Sequence, residues 1–255
     1  MTTTEQKRKE GGFAETVRVV VHALLIAVVI RTFLFQPFNI PSGSMKATLL
    51  VGDYLFVSKY SYGYSHYSIP FSPPLFSRRI WGSDPNRGDI VVFRLPKDDS
   101  TDYIKRVIGL PGDRVQMRDG LLYINDTPVE RQRMSEYVGE DPCGSEGGGG
   151  VSRVKRWKET LPNGVSYETL DCADNGYMDN TNVYTVPPGH FFMMGDNRDN
   201  STDSRVLSQV GYVPIDNIVG RAEIIFFSVG DGEPAWKVWR WPWVVRWDRL
   251  FTIVR

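Results

Sequence analysis

The sequence predicts a mainly β protein of antiparallel sheets behind one N-terminal transmembrane helix, with a smaller subdomain inserted into the main domain. Three observations support this fold class. One apolar segment lies near the N-terminus, strand-like segments with alternating apolar residues follow it, and a polar, glycine-rich region interrupts them. No long segment with the 3.6-residue period of a helix follows residue 35, so we expect the remainder to be β-rich.

The apolar segment near the N-terminus predicts a transmembrane helix over residues 14–35. Within it, residues 19–30 read VVVHALLIAVVI, in which only His22 is polar. A helix of this extent is about 33 Å long at 1.5 Å per residue, which matches a hydrocarbon core of about 30 Å. A basic run, KRK at residues 7–9, precedes it, so we expect the N-terminus in the cytoplasm and residues 36–255 on the other side.

This segment has two other interpretations. A cleaved signal peptide has a similar basic start and apolar core, but it ends in a small-residue cleavage site. The segment that follows here reads RTFLFQPFNIP and offers no such site. A buried helix of a soluble domain remains an alternative, because the uninterrupted apolar run is short. We favour an uncleaved anchor.

Alternating segments after residue 35 predict the strands of the main domain. They lie at 89–96, 103–113, 120–125, 190–196 and 220–229. Residues 126–186 are more polar and include a glycine run at 147–150, which predicts an inserted subdomain with a flexible loop. The predicted division is a cytoplasmic tail (1–13), the transmembrane helix (14–35), the main domain in two parts (36–125 and 187–235), the inserted subdomain (126–186) and a C-terminal tail (236–255).

The C-terminal tail holds five of the seven tryptophans of the chain. Charged residues interrupt it too often for a second transmembrane helix. Tryptophan beside lysine and arginine is typical of a membrane interface, which predicts a membrane-proximal tail. Packing of the tail on the surface of its own domain is an equally good interpretation.

Cys143 and Cys172 are the only cysteines. In an exported domain, oxidising conditions permit a disulfide between them, although the spacing alone does not establish it. Two cysteines without a histidine cluster do not make a zinc site. We therefore expect a disulfide, no metal and no cofactor.

The composition also bears on partners. The chain has 255 residues, of which 41% are hydrophobic, with 30 basic and 30 acidic side chains. This is long enough for one large or two modest cores. A nucleic-acid-binding protein is expected to show a basic excess or a basic stripe, so we predict no nucleic-acid partner.

Two serines stand directly after the predicted helix, in PSGSM at residues 41–45. A serine nucleophile needs a base, because its hydroxyl is weak at its own pKa. With His22 assigned to the membrane, His66 and His190 are the histidine candidates for a triad. Neither lies in a strong motif, and the chain has no Gly-x-Ser-x-Gly elbow.

A lysine base is the better candidate. In the predicted strand YIKRVIG, Tyr103, Lys105 and Val107 share one face, so apolar groups flank the Lys105 amine. Burial there would lower its pKa from about 10.4 towards about 7–8, the range of a general base. Lys46 is the rival, but it lies on a polar turn, where a solvated lysine keeps its proton. Arg106 stays protonated and cannot serve.

A third motif reads MGDNRDNSTDSR, at residues 194–205. It is not a calcium loop starting at Asp199, because Ser204 and Val210 occupy the positions of the required glycine and glutamate. Paired aspartates and arginines that hold a tight loop explain it better. Ser201 or Ser204 is then available to orient a buried lysine amine.

In combination, these motifs resemble bacterial type I signal peptidases, also called leader peptidases. The motifs that carry the resemblance occur in the family's order: PSGSM after a membrane segment, GDYLFV, RGDIVVF, YIKRVIGLPGD and GDNRDNSTDSR. They cover about residues 31–125 and 186–229. One departure is Lys46-Ala47, where the family usually has Met-Pro or a similar pair after Ser-Met.

The resemblance implies a membrane-bound serine endopeptidase that cleaves signal peptides from precursor proteins after small residues, on the outer face of the bacterial cytoplasmic membrane. It implies Ser44 as nucleophile, Lys105 as general base, and Ser42 with the Ser44 N–H as the oxyanion hole. Ser201 corresponds to the serine that hydrogen-bonds the lysine. Supporting roles are implied for the loop residues Asp196, Arg198, Asp203 and Arg205, and substrate pockets for Phe38, Ile40, Tyr103 and Ile104.

Two alternatives belong to other functional classes. A catalytically inactive anchored β-domain would be an interaction module, against which the presence of both Ser44 and Lys105 argues. An anchored hydrolase with a histidine base would depend on His66 or His190. The partners that we expect are precursor proteins with signal peptides and the phospholipid membrane.

Overall fold

The computed structural model describes residues 12–74, 78–140, 143, 151–230 and 233–255. This part of the chain contains helices α1 (Phe13–Phe33) and α2 (Trp241–Val244). Its strands are β1 (Phe35–Asn39), β2 (Asp53–Ser58), β3 (Ile90–Arg94), β4 (Asp102–Gly109), β5 (Arg114–Arg118), β6 (Leu121–Ile124), β7 (Thr127–Pro128), β8 (Glu130–Arg133), β9 (Tyr137–Glu140), β10 (Val151–Thr160), β11 (Ser166–Asp171), β12 (Tyr184–Thr185), β13 (His190–Met194), β14 (Val213–Pro214), β15 (Ile218–Ser228) and β16 (Thr252–Ile253). The basic run at 7–9 and the glycine run at 147–150 lie outside the described residues.

Helix α1 is long and apolar enough to cross a membrane. It has 21 residues with a mean hydropathy of 2.1, and none of its most apolar window is buried in protein, unlike a buried helix of a soluble domain. The helix ends at Phe33, two residues before the predicted boundary. The difference arises because Phe35 already pairs with Ser58 across β1 and β2.

The main sheet is antiparallel and has eight strands within the described ranges. Seven follow the order β1-β2-β15-β3-β4-β13-β14, and β16 adds to β15. All five predicted strands are present, as β3, β4, β6, β13 and β15, so the predicted fold class is confirmed. The strand predicted to reach residue 113 ends at Gly109, because the Asp113 N–H donates to the Leu110 carbonyl at 3.0 Å and closes a turn.

The predicted inserted region forms a sheet of its own from β8, β9, β10 and β11. It still shares a core with the main domain, since Leu161 and Tyr167 pack in one apolar cluster with residues of β5, β6 and β13. Cys143 and Cys172 are joined by a disulfide. The region therefore packs against the main domain through side chains as well as through its connections.

The C-terminal tail packs on the main domain along one side and exposes tryptophans on the other. Strand β16 pairs with β15, the Trp241 ring lies 4.9 Å from Phe227, and Arg249 forms an ion pair with Asp53. Four tryptophans remain exposed: Trp236, Trp239, Trp243 and Trp247. Both interpretations of the tail thus have a structural basis, because one face is packed and the other is free.

Candidate active site

The turn that carries the two serines lies between β1 and β2 and is fixed by its neighbours. Met45 and Leu49 follow Ser44 and are completely buried in the core beneath the turn. From the opposite side, the Asn197 N–H donates to the Ser44 carbonyl at 3.1 Å, and Asn197 Nδ2 donates to the Gly43 carbonyl at 3.1 Å. The backbone on both sides of the Ser44 hydroxyl is therefore held in place.

Lys105 projects from β4, between β3 and β13, directly at this hydroxyl. Its Nζ donates to Ser44 Oγ at 2.7 Å and to the Ile104 carbonyl at 2.9 Å. The side chain is buried, with 3% exposure. Burial lowers the Lys105 pKa to about 8; Asp203 and Asp196 act in the opposite direction, and Arg205 adds to the lowering.

A cleft of about 400 Å³ opens beside the pair. Ser42, Ser44 and Lys105 line it together with Tyr103 and Ile104 of β4. Ser42 Oγ lies 3.4 Å from Ser44 Oγ, so a second hydroxyl faces the same space. The arrangement combines a buried amine, a serine hydroxyl and an open cleft, which are the requirements for nucleophilic catalysis by serine.

The loop after β13 supports Lys105 through a buried ion pair. Arg205 donates from Nε to Asp203 Oδ1 and from Nη2 to Asp203 Oδ2, both at 2.9 Å. Asp203 Oδ2 also accepts from the Gly195 N–H at 3.0 Å. The pair joins the two ends of the loop.

Two further loop residues reach partners elsewhere in the fold. Asp196 accepts from Arg106 Nε at 2.9 Å and from Arg106 Nη2 at 2.7 Å. Arg198 donates from Nη1 and Nη2 to Glu159 of β10 at 3.0 and 2.6 Å. Sequence reasoning set Arg106 aside as a base and did not find it as a partner, and it missed Glu159 entirely.

Comparison with known proteins agrees with this geometry. The family model "Signal peptidase, peptidase S26" matches residues 13–227. The chain belongs to this family. It is 49% identical over 213 residues to the signal peptidase I of Rickettsia typhi, covering 80% of this chain and 76% of that protein. It is 42% identical over 267 residues to the signal peptidase I of Rickettsia rickettsii, covering 98% and 94%.

Among solved structures, a crystal structure of a signal peptidase I from Enterococcus faecalis V583 is similar. The TM-score is 0.31 and the sequence identity is 26%, covering 55% of this chain and 97% of that one.

Ser201, Phe38 and Ile40 are not among the residues that line the cleft of this S26 peptidase. Ser201 Oγ is buried close to Asp203, and Lys105 Nζ donates to Ser44 Oγ and to the Ile104 carbonyl rather than to Ser201. Ile40 is buried in the core, and Phe38 packs against the same cluster, as Ile104 also does, so the pocket roles of Phe38 and Ile40 stay predictions. Of the four predicted pocket residues, Tyr103 and Ile104 line the cleft.

The rival bases are placed differently from Lys105. The expectation that Lys46 is solvated is wrong: its side chain is buried, and its stem passes close to Gly43. His190 Nδ1 lies 2.9 Å from the Pro188 carbonyl, and the His66 ring lies 3.8 Å from that of Tyr67. Within the described residues, the side-chain partners of Ser44 are Lys105 and Ser42. The same part of the chain has no group of acidic, histidine or cysteine residues that could hold a metal ion.

Gly195 is a site residue that sequence reasoning missed. A Cβ added there would lie 2.5 Å from the Ser44 carbonyl oxygen and 2.2 Å from Ser201 Oγ. The absent side chain thus allows the loop to approach the nucleophile turn. The signal in the sequence was the glycine at the end of a buried strand, which indicates close approach of another backbone.

Proposed function

We propose that this S26 peptidase is a membrane-bound endopeptidase that removes N-terminal signal peptides from exported precursors after small residues of the Ala-x-Ala type. Ser44 is the nucleophile and Lys105 is its general base. The observation that carries the proposal is the 2.7 Å contact between Lys105 Nζ and Ser44 Oγ inside a buried site that opens on a cleft.

The contact serves the reaction when the amine is neutral. The Ser44 hydroxyl then donates its hydrogen to the Lys105 lone pair, and the proton moves to nitrogen as Oγ attacks the scissile carbonyl carbon. The tetrahedral intermediate collapses with cleavage of the carbon–nitrogen bond, and the Lys105 ammonium returns the proton to the leaving amine. Water, activated by the same amine, hydrolyses the acyl-enzyme.

Burial is what makes Lys105 a base near neutral pH. A solvated lysine has a pKa of about 10.4 and is almost entirely protonated at pH 7. With the Lys105 pKa lowered to about 8, about a tenth of the molecules hold the neutral amine at pH 7. Asp203 and Asp196 keep the pKa from falling further, so the ammonium remains able to protonate the leaving group.

Ser42 stabilises the oxyanion in this proposal. Its Oγ lies 3.4 Å from the nucleophile, on the cleft side, where the carbonyl oxygen of the substrate becomes negatively charged. The Ser44 N–H supplies the second donor. Removal of one such donor in other hydrolases costs about 10²–10³ in kcat.

The membrane arrangement is also a proposal. Helix α1 spans the cytoplasmic membrane with the N-terminus inside, and the β domain lies on the outer, periplasmic side with its tryptophan-rich tail near the bilayer. Ser44 then lies about eleven residues beyond the end of the anchor at Phe33, at most about 40 Å of extended chain. Proteolysis of spheroplasts carrying a chain tagged at both ends should remove the C-terminal tag alone; loss of the N-terminal tag would contradict this orientation.

The catalytic proposal is tested by incubating the full chain in detergent micelles with a precursor that has an Ala-x-Ala site. Mass spectrometry should find cleavage after the second alanine, and Phe at that position should abolish it. Ser44→Ala should reduce the rate to background. Cleavage by Ser44→Ala at the wild-type rate would exclude Ser44 as the nucleophile.

A further inference from the structure

A second polar pocket lies beside the end of the anchor helix α1. It is separate from the cleft beside Ser44 and Lys105. Its volume is about 300 Å³, and its lining includes Arg31, Gln36, Lys59, Phe71, Arg94 and Asp99. None of these residues has a role in the proposed cleavage reaction.

The position of this pocket relative to the anchor is fixed by hydrogen bonds. The Lys59 N–H donates to the Leu34 carbonyl at 2.9 Å, and the Tyr64 hydroxyl donates to the Phe33 carbonyl at 3.0 Å. Arg31 lies in the last turn of α1 and lines the pocket itself. When α1 spans a bilayer, the pocket therefore lies at the level of the lipid headgroups.

The pocket has an excess of positive charge. Arg31, Lys59 and Arg94 line it together with Asp99, and Arg94 Nε lies 3.3 Å from a second carboxylate, that of Asp102. Asp99 Oδ1 already accepts hydrogen bonds from the Tyr67 hydroxyl and from Asn217 Nδ2, at 3.0 and 2.9 Å. An anion that enters the pocket therefore meets one positive charge more than the carboxylates of Asp99 and Asp102 balance.

Lys59 supplies a buried donor to this space. Its side chain is 1% exposed, and Nζ donates to the Tyr67 and Ser68 carbonyls at 3.1 and 3.3 Å. An ammonium group has three hydrogens, so one remains for a ligand. Burial, followed by the charge of Arg31, lowers the Lys59 pKa to about 8, and a bound anion would relieve the repulsion among the cations.

We propose that this pocket binds the phosphate of an anionic phospholipid headgroup, held by Arg31 and Lys59. The fully exposed Phe71 ring at the rim lies against the glycerol and upper acyl region of the lipid. An anionic headgroup is favoured over a zwitterionic one, because a choline group would bring a fourth cation to the pocket. The proposal rests on membrane anchoring by α1 but not on the catalytic roles of Ser44 and Lys105.

The test is lipid binding to the full chain in detergent micelles, measured by native mass spectrometry. Dioctanoyl phosphatidylglycerol is titrated against dioctanoyl phosphatidylcholine, and inorganic phosphate is added in a third series. We expect one retained phosphatidylglycerol molecule, little phosphatidylcholine, and an affinity about fivefold lower in Arg31→Gln, since one basic side chain near an anionic headgroup contributes about that factor.

Two matched variants control for unspecific charge effects. Arg18→Gln removes a cation at the opposite end of α1, and Arg78→Gln removes an exposed cation outside the pocket lining. Both should bind phosphatidylglycerol as the wild type does. Equal binding of the two lipids, an unchanged affinity in Arg31→Gln, or equally tight binding of inorganic phosphate would each overturn the lipid site. Because no substrate is present, failure here leaves the cleavage proposal untouched.

Discussion

Lys105 and Lys59 are two buried lysines whose surroundings differ in almost every other respect. Burial lowers the pKa of each to about 8. Lys105 faces the Ser44 hydroxyl and has the carboxylates of Asp203 and Asp196 nearby, whereas Lys59 faces two backbone carbonyls. Lys105 therefore donates to a side-chain hydroxyl, whereas Lys59 donates to backbone carbonyls.

The difference shows that a lowered pKa does not identify a general base on its own. Desolvation supplies the shift at both lysines, but proton abstraction also needs a hydroxyl within hydrogen-bond reach and a cleft that admits the substrate. Lys105 satisfies both conditions and Lys59 satisfies neither. The experiments below test this distinction.

The largest expected effect comes from exchanging each lysine for methionine. Lys105→Met should lower kcat for precursor cleavage by at least about 10³-fold, because the base is lost, while Lys59→Met should keep at least a third of the wild-type rate. Ser44→Ala combined with Lys105→Met should be no worse than either change alone, since the two groups act as a unit.

These rates are measured on variants that still show a cooperative thermal transition. Lys105→Arg is the matched control for volume and charge, because a guanidinium does not deprotonate; it should be as inactive as Lys105→Met. A folded Lys59→Met variant with as little activity as Lys105→Met would remove the distinction between the two lysines.

The ion pairs near the two lysines should also differ in how much their loss lowers the free energy of unfolding. Arg198 and Glu159 form a fully buried pair behind the Lys105 loop, whereas the Arg94–Asp102 pair near Lys59 is partly exposed. Glu159→Gln leaves the Arg198 charge without its counter-ion and should lower the free energy of unfolding by about 3–5 kcal/mol.

Thermal denaturation of the full chain in micelles measures this effect. Glu168→Gln is the control on the neighbouring strand, because its pair with Arg156 is partly exposed and should contribute less than about 1 kcal/mol. Equal losses in the two variants would mean that the inserted sheet does not hold the site loop through Glu159.

A smaller effect is expected from the close approach at Gly195. In Gly195→Ala, the new Cβ meets the Ser44 carbonyl and forces the nucleophile turn away from Lys105. Misplacement by about 1 Å is expected to reduce kcat by about 10²-fold. Gly82→Ala, where an added Cβ finds only ordinary contacts at 3.5 Å, should leave kcat unchanged; a fully active Gly195→Ala would show that the turn tolerates the shift.

How far the sequence predicted this site depends on the range of the interaction. The alternation in YIKRVIG was enough to predict that Lys105 is buried, and the apolar run was enough to predict α1, because both patterns are local. The register between strands is not local, so the contact of Asp196 with Arg106 was not predictable from the motif that contains Asp196.

The inserted region shows the same limit more clearly. None of its described residues lines the cleft, yet Glu159 balances Arg198 and the Tyr167 ring lies 4.1 Å from the Arg106 guanidinium. Such contacts join residues far apart in the chain and leave no periodic signal. Lys46 was misplaced for a related reason, since the core that buries the turn comes from other strands.

The smallest effect that we expect to distinguish the two lysines is on the pH dependence of cleavage. In the proposed mechanism only the neutral Lys105 amine acts as the base, so kcat/KM should fall about tenfold per pH unit below pH 8 and level off above it. The direction follows from the lowered pKa: protonation on acidification removes the base. Because Lys59 titrates in the same range, Lys59→Met is the decisive variant. Its profile should keep the inflection near pH 8, and an inflection that disappears in this variant would assign the titration to Lys59.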